Sequence, residues 1–178
     1  MPVVFQYGSN ALPGRLNGPN RLNNEAKDLG RAETVEEYDI VFDVYSQTNG
    51  CAASNLVRTP RRKVWGVLYK VPGDRVRGKR ADGQKTLAQI EGPRYEETSI
   101  RVLDSSGRQV DAIIFLVREK ERRAGLATSA AYVSWIVYGL REHGVPEEYI
   151  GHVVEVAIAT NTRARKSVGE QTKLIKNL

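Results

Sequence analysis

At residues 5–10 an apolar strand runs directly into a polar turn, with the sequence FQYGSN. Phe5 and Tyr7 favour a strand, whereas Gly8 tolerates positive φ, and Ser9 and Asn10 can bond their own backbone. Strand pairing should therefore stop at Gly8, which leaves successive backbone N–H groups free to point outward. Such a concavity of N–H groups can bind a carboxylate or a developing oxyanion. The alternative is an ordinary turn that binds no ligand.

A second stretch, LAQIEG at residues 87–92, places one carboxylate between an apolar helical end and a glycine. Glu91 is the candidate catalytic acid and base. Leu87 and Ile90 would desolvate it, and burial raises the pKa of a carboxyl group toward the working pH. The alternative is that Glu91 caps the turn at Gly92 and has a structural role. The residues alone leave these two interpretations equally open.

In their order along the chain, these stretches resemble the γ-glutamylcyclotransferase family, also called the AIG2-like or BtrG-like group. Its members carry a Tyr-Gly-Ser-Asn turn near the N-terminus and a Glu-Gly pair after a short helix. A Val-Trp-Gly-Val strand is matched here at residues 64–67. A Ser-x-x-Tyr helix start followed by a glycine is matched by Ser129, Tyr132 and Gly139. The resemblance covers about residues 3–150.

This resemblance implies an α+β fold, in which a small mixed β-barrel, closed or nearly closed, has helices packed outside. It also implies an intramolecular acyltransferase, a chemistry also grouped with the lyases, in which the α-amine of a γ-glutamyl amide attacks the γ-carbonyl and releases 5-oxoproline. Glu91 would shuttle the proton as general acid and base. The residues implied to bind the small-molecule γ-glutamyl substrate are Tyr7, Gly8, Ser9, Asn10 and Tyr132. For Tyr132, simple packing on the core is the alternative.

The chain departs from the family pattern at two places. Gln6 stands beside the turn where the family commonly has a small residue, and the prolines usual before the Ser-x-x-Tyr helix are missing. Neither change affects Glu91. The substrate therefore stays open among γ-glutamyl dipeptides, γ-glutamyl amines and larger acylated amines.

The composition indicates one globular domain over residues 1–178. Hydrophobic residues make up 40% and charged residues 27% of the chain, the usual globular mixture. Cys51 is the single cysteine and there are two histidines, so the sequence offers no internal disulfide and no Cys/His cluster. We expect neither a metal nor another cofactor. Because no secretory or membrane-spanning run is recognisable, we expect a cytoplasmic protein without membrane contact.

The net charge of +6 raises a second function class, a basic module on the same fold that binds nucleic acid or phosphate without catalysis. Lys and Arg cluster at residues 58–63, 75–80 and 118–123. Charge runs are more often solvated loops, and no nucleic-acid motif with interleaved aromatic residues is present. A nucleic-acid partner is therefore not expected, although the residues leave it open. They also leave a homodimer open.

Alternating apolar and polar residues predict several short strands, which precede the helices of the C-terminal part. A helix should begin at Thr128 or Ser129 and stop at Gly144. Residues 11–30 are interpreted as a long loop with at most short helical turns, and the Gly- and Arg-rich residues 72–83 as a mobile flap near the site. The predicted strands cover residues 39–45, 52–57, 64–71, 95–103 and 109–117.

Overall fold

Seven strands and six α-helices are present in the computed structural model, which describes residues 1–165 and 168–178. Short 3₁₀ turns cover Ser9–Ala11 and Glu119–Glu121. The strands are β1 Val3–Gln6, β2 Lys27–Thr34, β3 Tyr38–Ser46, β4 Cys51–Arg58, β5 Trp65–Lys70, β6 Tyr95–Asp104 and β7 Gln109–Val117. The helices are α1 Pro13–Leu16, α2 Gly73–Val76, α3 Leu87–Glu91, α4 Ala130–Glu142, α5 Glu147–Thr162 and α6 Gly169–Lys176.

Five of the strands form a closed barrel in the order β1-β5-β2-β6-β7. The barrel is mixed, because β1 pairs antiparallel with β5 and parallel with β7, where Val4 is opposite Ile113. The hairpin β3-β4 forms a separate two-stranded sheet. The predicted α+β fold with a mixed barrel is therefore confirmed, and sheet closure leaves the barrel without an open edge. No helix in residues 1–165 or 168–178 is both long and apolar enough to cross a membrane.

Close approach of two barrel strands depends on Gly66 in β5. A Cβ atom at this position would lie 2.5 Å from the carbonyl oxygen of Gln6 and 2.7 Å from Cζ of Phe5. A side chain would therefore push β1 away, as expected for a strand glycine beneath another backbone. On the same strand Val67, Leu68 and Tyr69 are all buried, so β5 is buried on both of its faces.

The first long helix, α4, begins and packs as its sequence predicts. The Ser129 hydroxyl oxygen accepts a hydrogen bond from the Tyr132 N–H at 3.2 Å and caps the helix. Ile136, Val137 and Leu140 recur at helical spacing and are fully buried. This apolar face fixes the helix against the core, so its first turn is held in a defined place.

The predicted loop over residues 11–30 is too long, because β2 already begins at Lys27. Gly30 has a φ of +92°, and the pairing of β2 with β5 shifts register between Asp28 and Gly30. Leu29 is exposed there. A bulge of this kind interrupts the alternation from which a strand is recognised.

The predicted mobile flap over residues 72–83 is wrong for its first part, which forms the short helix α2. Arg75 in that helix is fully buried. Its guanidinium group donates to the carbonyl oxygen of Lys85 at 2.8 Å and to Oε1 of Gln84 at 3.0 Å, and its Nε lies 3.1 Å from Oε1 of Glu25. A buried charge held by several partners anchors the segment, because unpaired burial would be costly.

Candidate active site

Two adjoining cavities, of about 230 Å³ and about 30 Å³, lie between the β1 turn, the end of α3 and the start of α4. Tyr7 and Gly8 line the smaller cavity but not the larger one. No residue of the 72–83 segment lines either one. The structure thus brings together all six residues that the sequence singled out. The residues shared by both cavities are Ser9, Asn10, Glu91, Tyr95 and Tyr132.

The turn after β1 is a 3₁₀ turn held from two sides. Within it, the Ala11 N–H donates to the carbonyl oxygen of Gly8 at 2.9 Å, and the Tyr69 hydroxyl donates to the carbonyl oxygen of Ala11 at 2.9 Å. Among the described residues, none accepts a hydrogen bond from the N–H groups of Ser9 and Asn10. That these two N–H groups bind a ligand, as the sequence analysis expects, stays a prediction.

Glu91 is the last residue of α3, and both ends of that short helix are fixed. At the start, the Thr86 N–H donates to Oε1 of Gln89 at 2.9 Å, one half of a capping box. Leu87 is fully buried beneath the helix. At the end, Gly92 has a φ of +91°, which a residue with a side chain rarely adopts. The Glu91 carboxylate is therefore delivered to the cavity at a defined position.

A chain of hydrogen bonds orients the Glu91 carboxyl group. Nδ2 of Asn10 donates to Oε1 of Glu91 at 2.9 Å, and the Arg21 guanidinium group donates to Oδ1 of Asn10. Because Arg21 selects the oxygen of the amide, the amino group must face Glu91. Burial raises the pKa of Glu91 above its ordinary value, although the Asn10 hydrogen bond and the Arg21 charge oppose the rise.

Three tyrosines, Tyr7, Tyr95 and Tyr132, line the smaller cavity together with Glu91. The hydroxyl of Tyr7 donates to the carbonyl oxygen of Phe115 at 2.8 Å, and that of Tyr95 to the carbonyl oxygen of Ser54 at 2.9 Å. The hydroxyl oxygen of Tyr132 accepts from the Ser54 N–H at 3.1 Å and lies 3.0 Å from the Ser54 Oγ. Burial raises the pKa of all three, so they stay protonated at neutral pH. Tyr132 is the one whose proton can turn to a ligand without leaving a backbone carbonyl unpaired.

Two arginines in the predicted loop complete the larger cavity, and the sequence interpretation missed both of them. Arg15 donates through Nε to the Ser9 hydroxyl at 3.1 Å, and its guanidinium carbon lies 3.7 Å from the Trp135 ring centroid. Arg21 bonds Asn10 as described above. Their position in the sequence could have indicated a role in the site, because both arginines closely follow the turn at Ser9 and Asn10 and lie outside the three basic clusters.

We predict that Gly8→Ala disturbs the Ser54–Tyr132 contact. A Cβ atom at Gly8 would lie 2.4 Å from the Ser54 Oγ, and the next nearest atoms are 3.7 Å away. Moving the hydroxyl breaks a buried hydrogen bond, so we expect a loss of about 1–3 kcal/mol in the free energy of unfolding, measured in urea. The double variant Gly8→Ala, Ser54→Ala should lose less than the sum of the two single variants. Strict additivity would show that the contact is not the cause.

Comparisons with solved structures show which proteins share this fold. A protein named gamma-glutamyl cyclotransferase is 22% identical, with a TM-score of 0.72 and 99% of each chain covered. An uncharacterized human protein is 23% identical, with a TM-score of 0.72 and coverage of 98% of this chain and 97% of the other. YkqA from Bacillus subtilis is 19% identical, with a TM-score of 0.68, and the similarity covers 89% of this chain and 55% of YkqA. No curated protein matches this chain in sequence.

Sequence comparison with family models gives a match to the AIG2-like family over residues 63–153, just over half of the chain. The matched region contains Glu91 and Tyr132. The turn at Ser9 and Asn10 lies outside it, yet the fold brings this turn to the same cavity. The match confirms the predicted membership: the chain belongs to the AIG2-like family.

Proposed function

We propose that this protein is a γ-glutamylcyclotransferase-type enzyme, which releases 5-oxoproline and a free amine from a γ-glutamyl amide. The observation that carries the proposal is the position of Glu91. Its carboxyl group, with a pKa raised by burial, lies where both cavities meet, 2.9 Å from Asn10 of the N-terminal turn. A carboxyl group tuned toward neutral pH inside a cavity is typical of an acid–base catalyst.

In the proposed reaction, the ionised Glu91 takes a proton from the α-ammonium group of the substrate. The α-nitrogen then forms a bond to the γ-carbonyl carbon and closes a five-membered lactam. Glu91 returns the proton to the leaving nitrogen as the bond between the γ-carbon and that nitrogen breaks. Glu91 then takes the second proton that the α-nitrogen loses on becoming the lactam N–H and passes it to the released amine, which leaves as an ammonium. The N–H groups of Ser9 and Asn10 would stabilise the developing oxyanion or the substrate carboxylate, and the Tyr132 hydroxyl would contact the substrate.

This chain shares its fold with a protein named gamma-glutamyl cyclotransferase, which agrees with the proposal. A fold alone does not determine chemistry, so the proposal rests on the site. The contacts of the second basic cluster, residues 75–80, also favour an enzyme over a phosphate-binding module. Arg75 is buried, Nε of Arg77 lies 2.8 Å from Oε2 of Glu97, and Nε of Arg80 lies 3.0 Å from Oδ1 of Asp82. Guanidinium groups already paired with carboxylates contribute less to counterion release on binding phosphates.

The proposal is tested by incubating the protein with a panel of γ-glutamyl dipeptides and γ-glutamyl amines and quantifying 5-oxoproline. We expect release from at least one substrate class. A parallel measurement of binding to generic DNA and RNA should show no retention at physiological ionic strength. Inactivity across the panel, together with nucleic-acid binding that falls steeply with salt, would favour the binding module instead.

A further inference from the structure

The buried side chain of Arg75 joins two segments that are remote from each other in sequence. On one side its guanidinium group donates to the carbonyl oxygen of Lys85 at 2.8 Å and to Oε1 of Gln84 at 3.0 Å. On the other side it donates to the carbonyl oxygen of Arg21 at 3.4 Å, and its Nε lies 3.1 Å from Oε1 of Glu25. Arg75 lines neither cavity, so its contact with the site passes through these two segments.

The segment at residues 84–85 leads directly into helix α3. Thr86 is the N-cap residue of that helix, and its hydroxyl group donates to the carbonyl oxygen of Gly78 at 3.1 Å. Glu91 is the last of the five residues of α3. A shift at the start of so short a helix therefore moves the Glu91 carboxylate with it.

The segment at residues 21–25 leads to the hydrogen-bond partner of that carboxylate. The guanidinium group of Arg21 donates to Oδ1 of Asn10, and Nδ2 of Asn10 donates to Oε1 of Glu91 at 2.9 Å. The contacts thus close a ring, which runs from Arg75 through Arg21 and Asn10 to Glu91 and returns along α3 to Lys85. Members of one hydrogen-bond network are energetically coupled, so a loss at Arg75 is felt at Glu91.

We propose that Arg75 is a positioning residue, which aligns the Glu91 carboxylate with the Asn10 amide by fixing Arg21 and the start of α3 relative to each other. Its effect on turnover rests on the proposed function, whereas its effect on the Asn10–Glu91 hydrogen bond does not. A guanidinium group suits this role because its planar fork of donors can bridge several acceptors at once. The alternative is that Arg75 only anchors its own segment and contributes stability alone.

The test replaces Arg75 by lysine, which keeps the positive charge but has one terminal nitrogen in place of the planar fork. Asn10 should then lose its alignment with Glu91. We expect kcat for 5-oxoproline release to fall about ten- to a hundredfold, since a misplacement of about 1 Å can cost a hundredfold. The Asn10 hydrogen bond lowers the pKa of Glu91, so its weakening should move the midpoint of the kcat/KM profile to higher pH.

Arg77→Lys is the matched control in the same segment. Arg77 is exposed, and its Nε lies 2.8 Å from Oε2 of Glu97, which lines neither cavity. This variant should keep the wild-type kcat and midpoint. The midpoint separates the two roles of Arg75, because partial unfolding leaves fewer active molecules without changing the proton affinity of each. Wild-type kcat in Arg75→Lys, or a lower kcat at an unchanged midpoint, would overturn the positioning role.

If Arg75→Lys does not fold, Glu25→Ala releases the 21–25 segment from the other side, at a partly exposed position. Loss of a negative charge by itself lowers the pKa of a nearby carboxyl group. A midpoint at higher pH in Glu25→Ala would therefore support lost alignment of Glu91, and an unchanged or lower midpoint would overturn the inference.

Absence of 5-oxoproline release by the wild type would contradict the proposed function and leave this inference testable. The pKa of Glu91 is then measured from the NMR chemical shift of its carboxyl carbon, which is assigned with Glu91→Gln. A higher pKa in Arg75→Lys than in wild type and Arg77→Lys would support the ring of contacts. Equal pKa values in the three proteins would overturn it.

Discussion

Replacing Glu91 by Gln is expected to lower the rate of 5-oxoproline release by about two to four orders of magnitude, the usual contribution of a positioned acid and base. Glutamine keeps the size of the side chain and the oxygen that accepts the Asn10 hydrogen bond at 2.9 Å, but it cannot take up a proton. The loss should therefore fall on proton transfer. The measurement is 5-oxoproline from wild type and variant at equal protein concentration, with Glu96→Gln, an exposed glutamate nearby, as the control.

The same substitution should not lower stability at neutral pH. Burial raises the pKa of Glu91 in the folded protein, so the folded state binds the proton more tightly than the unfolded state does. Above the unfolded pKa, near 4.3, keeping this carboxyl group ionised in the fold then costs stability. A neutral glutamine removes that cost, so the melting temperature of Glu91→Gln should equal or exceed that of wild type at pH 7.

A pH profile separates the catalytic role from a structural one. In the wild type, kcat/KM should rise as Glu91 loses its proton, with a midpoint above the ordinary carboxyl range because its pKa is raised. The residual activity of Glu91→Gln should lack this midpoint. Turnover equal to wild type would remove Glu91 from the mechanism. A lower melting temperature with substantial residual turnover would instead indicate that Glu91 caps the turn at Gly92.

The elements that were predicted well from the sequence are those whose pattern is local. Strands β3 to β7 alternate or contain β-forming residues in runs bounded by turn residues, and α4 has a helical period with a serine cap. Only the family resemblance predicted that Tyr132 and Glu91 line the same cavity. The two residues are 41 positions apart, and no local sequence pattern relates residues at that separation. The bulge at Gly30 interrupts the alternation of apolar and polar residues, the local pattern from which the start of β2 could be predicted.

The parts of the site that were missed depend on tertiary contacts without a local signature. Arg15 lies in the short helix α1 and Arg21 in the loop that follows it. Arg15 contacts Trp135, which is distant in sequence, and Arg21 contacts Asn10, which precedes α1. Arg75 was interpreted as part of a solvated flap because charged residues are rarely fully buried. Its burial depends on acceptors from two other segments, residues 21–25 and 84–85, which the sequence around it does not indicate.

Gly139→Ala is expected to destabilise the protein, although alanine is the better helix former by about 1 kcal/mol. Gly139 lies within α4, where the helix touches the turn that carries Ser9 and Asn10. A Cβ atom there would lie 2.5 Å from the Leu12 nitrogen and 2.6 Å from the Ala11 carbonyl carbon. Both are backbone atoms, so no side-chain rotation can relieve the overlap. Either the helix or the turn must move, at a cost of about 1–3 kcal/mol or more.

The matched control is Gly151→Ala in the neighbouring helix α5, where an added Cβ atom would meet no atom within 4 Å. There the helix propensity of alanine acts alone, so we expect the free energy of unfolding in urea to rise by up to about 1 kcal/mol. If the free energy of unfolding falls in Gly139→Ala and rises in Gly151→Ala, the loss of stability at Gly139 is due to the contact with the turn. Because that turn also places Asn10 against Glu91, Gly139→Ala should lower 5-oxoproline release while Gly151→Ala leaves it unchanged. Wild-type stability and activity in Gly139→Ala would show that α4 does not position the turn.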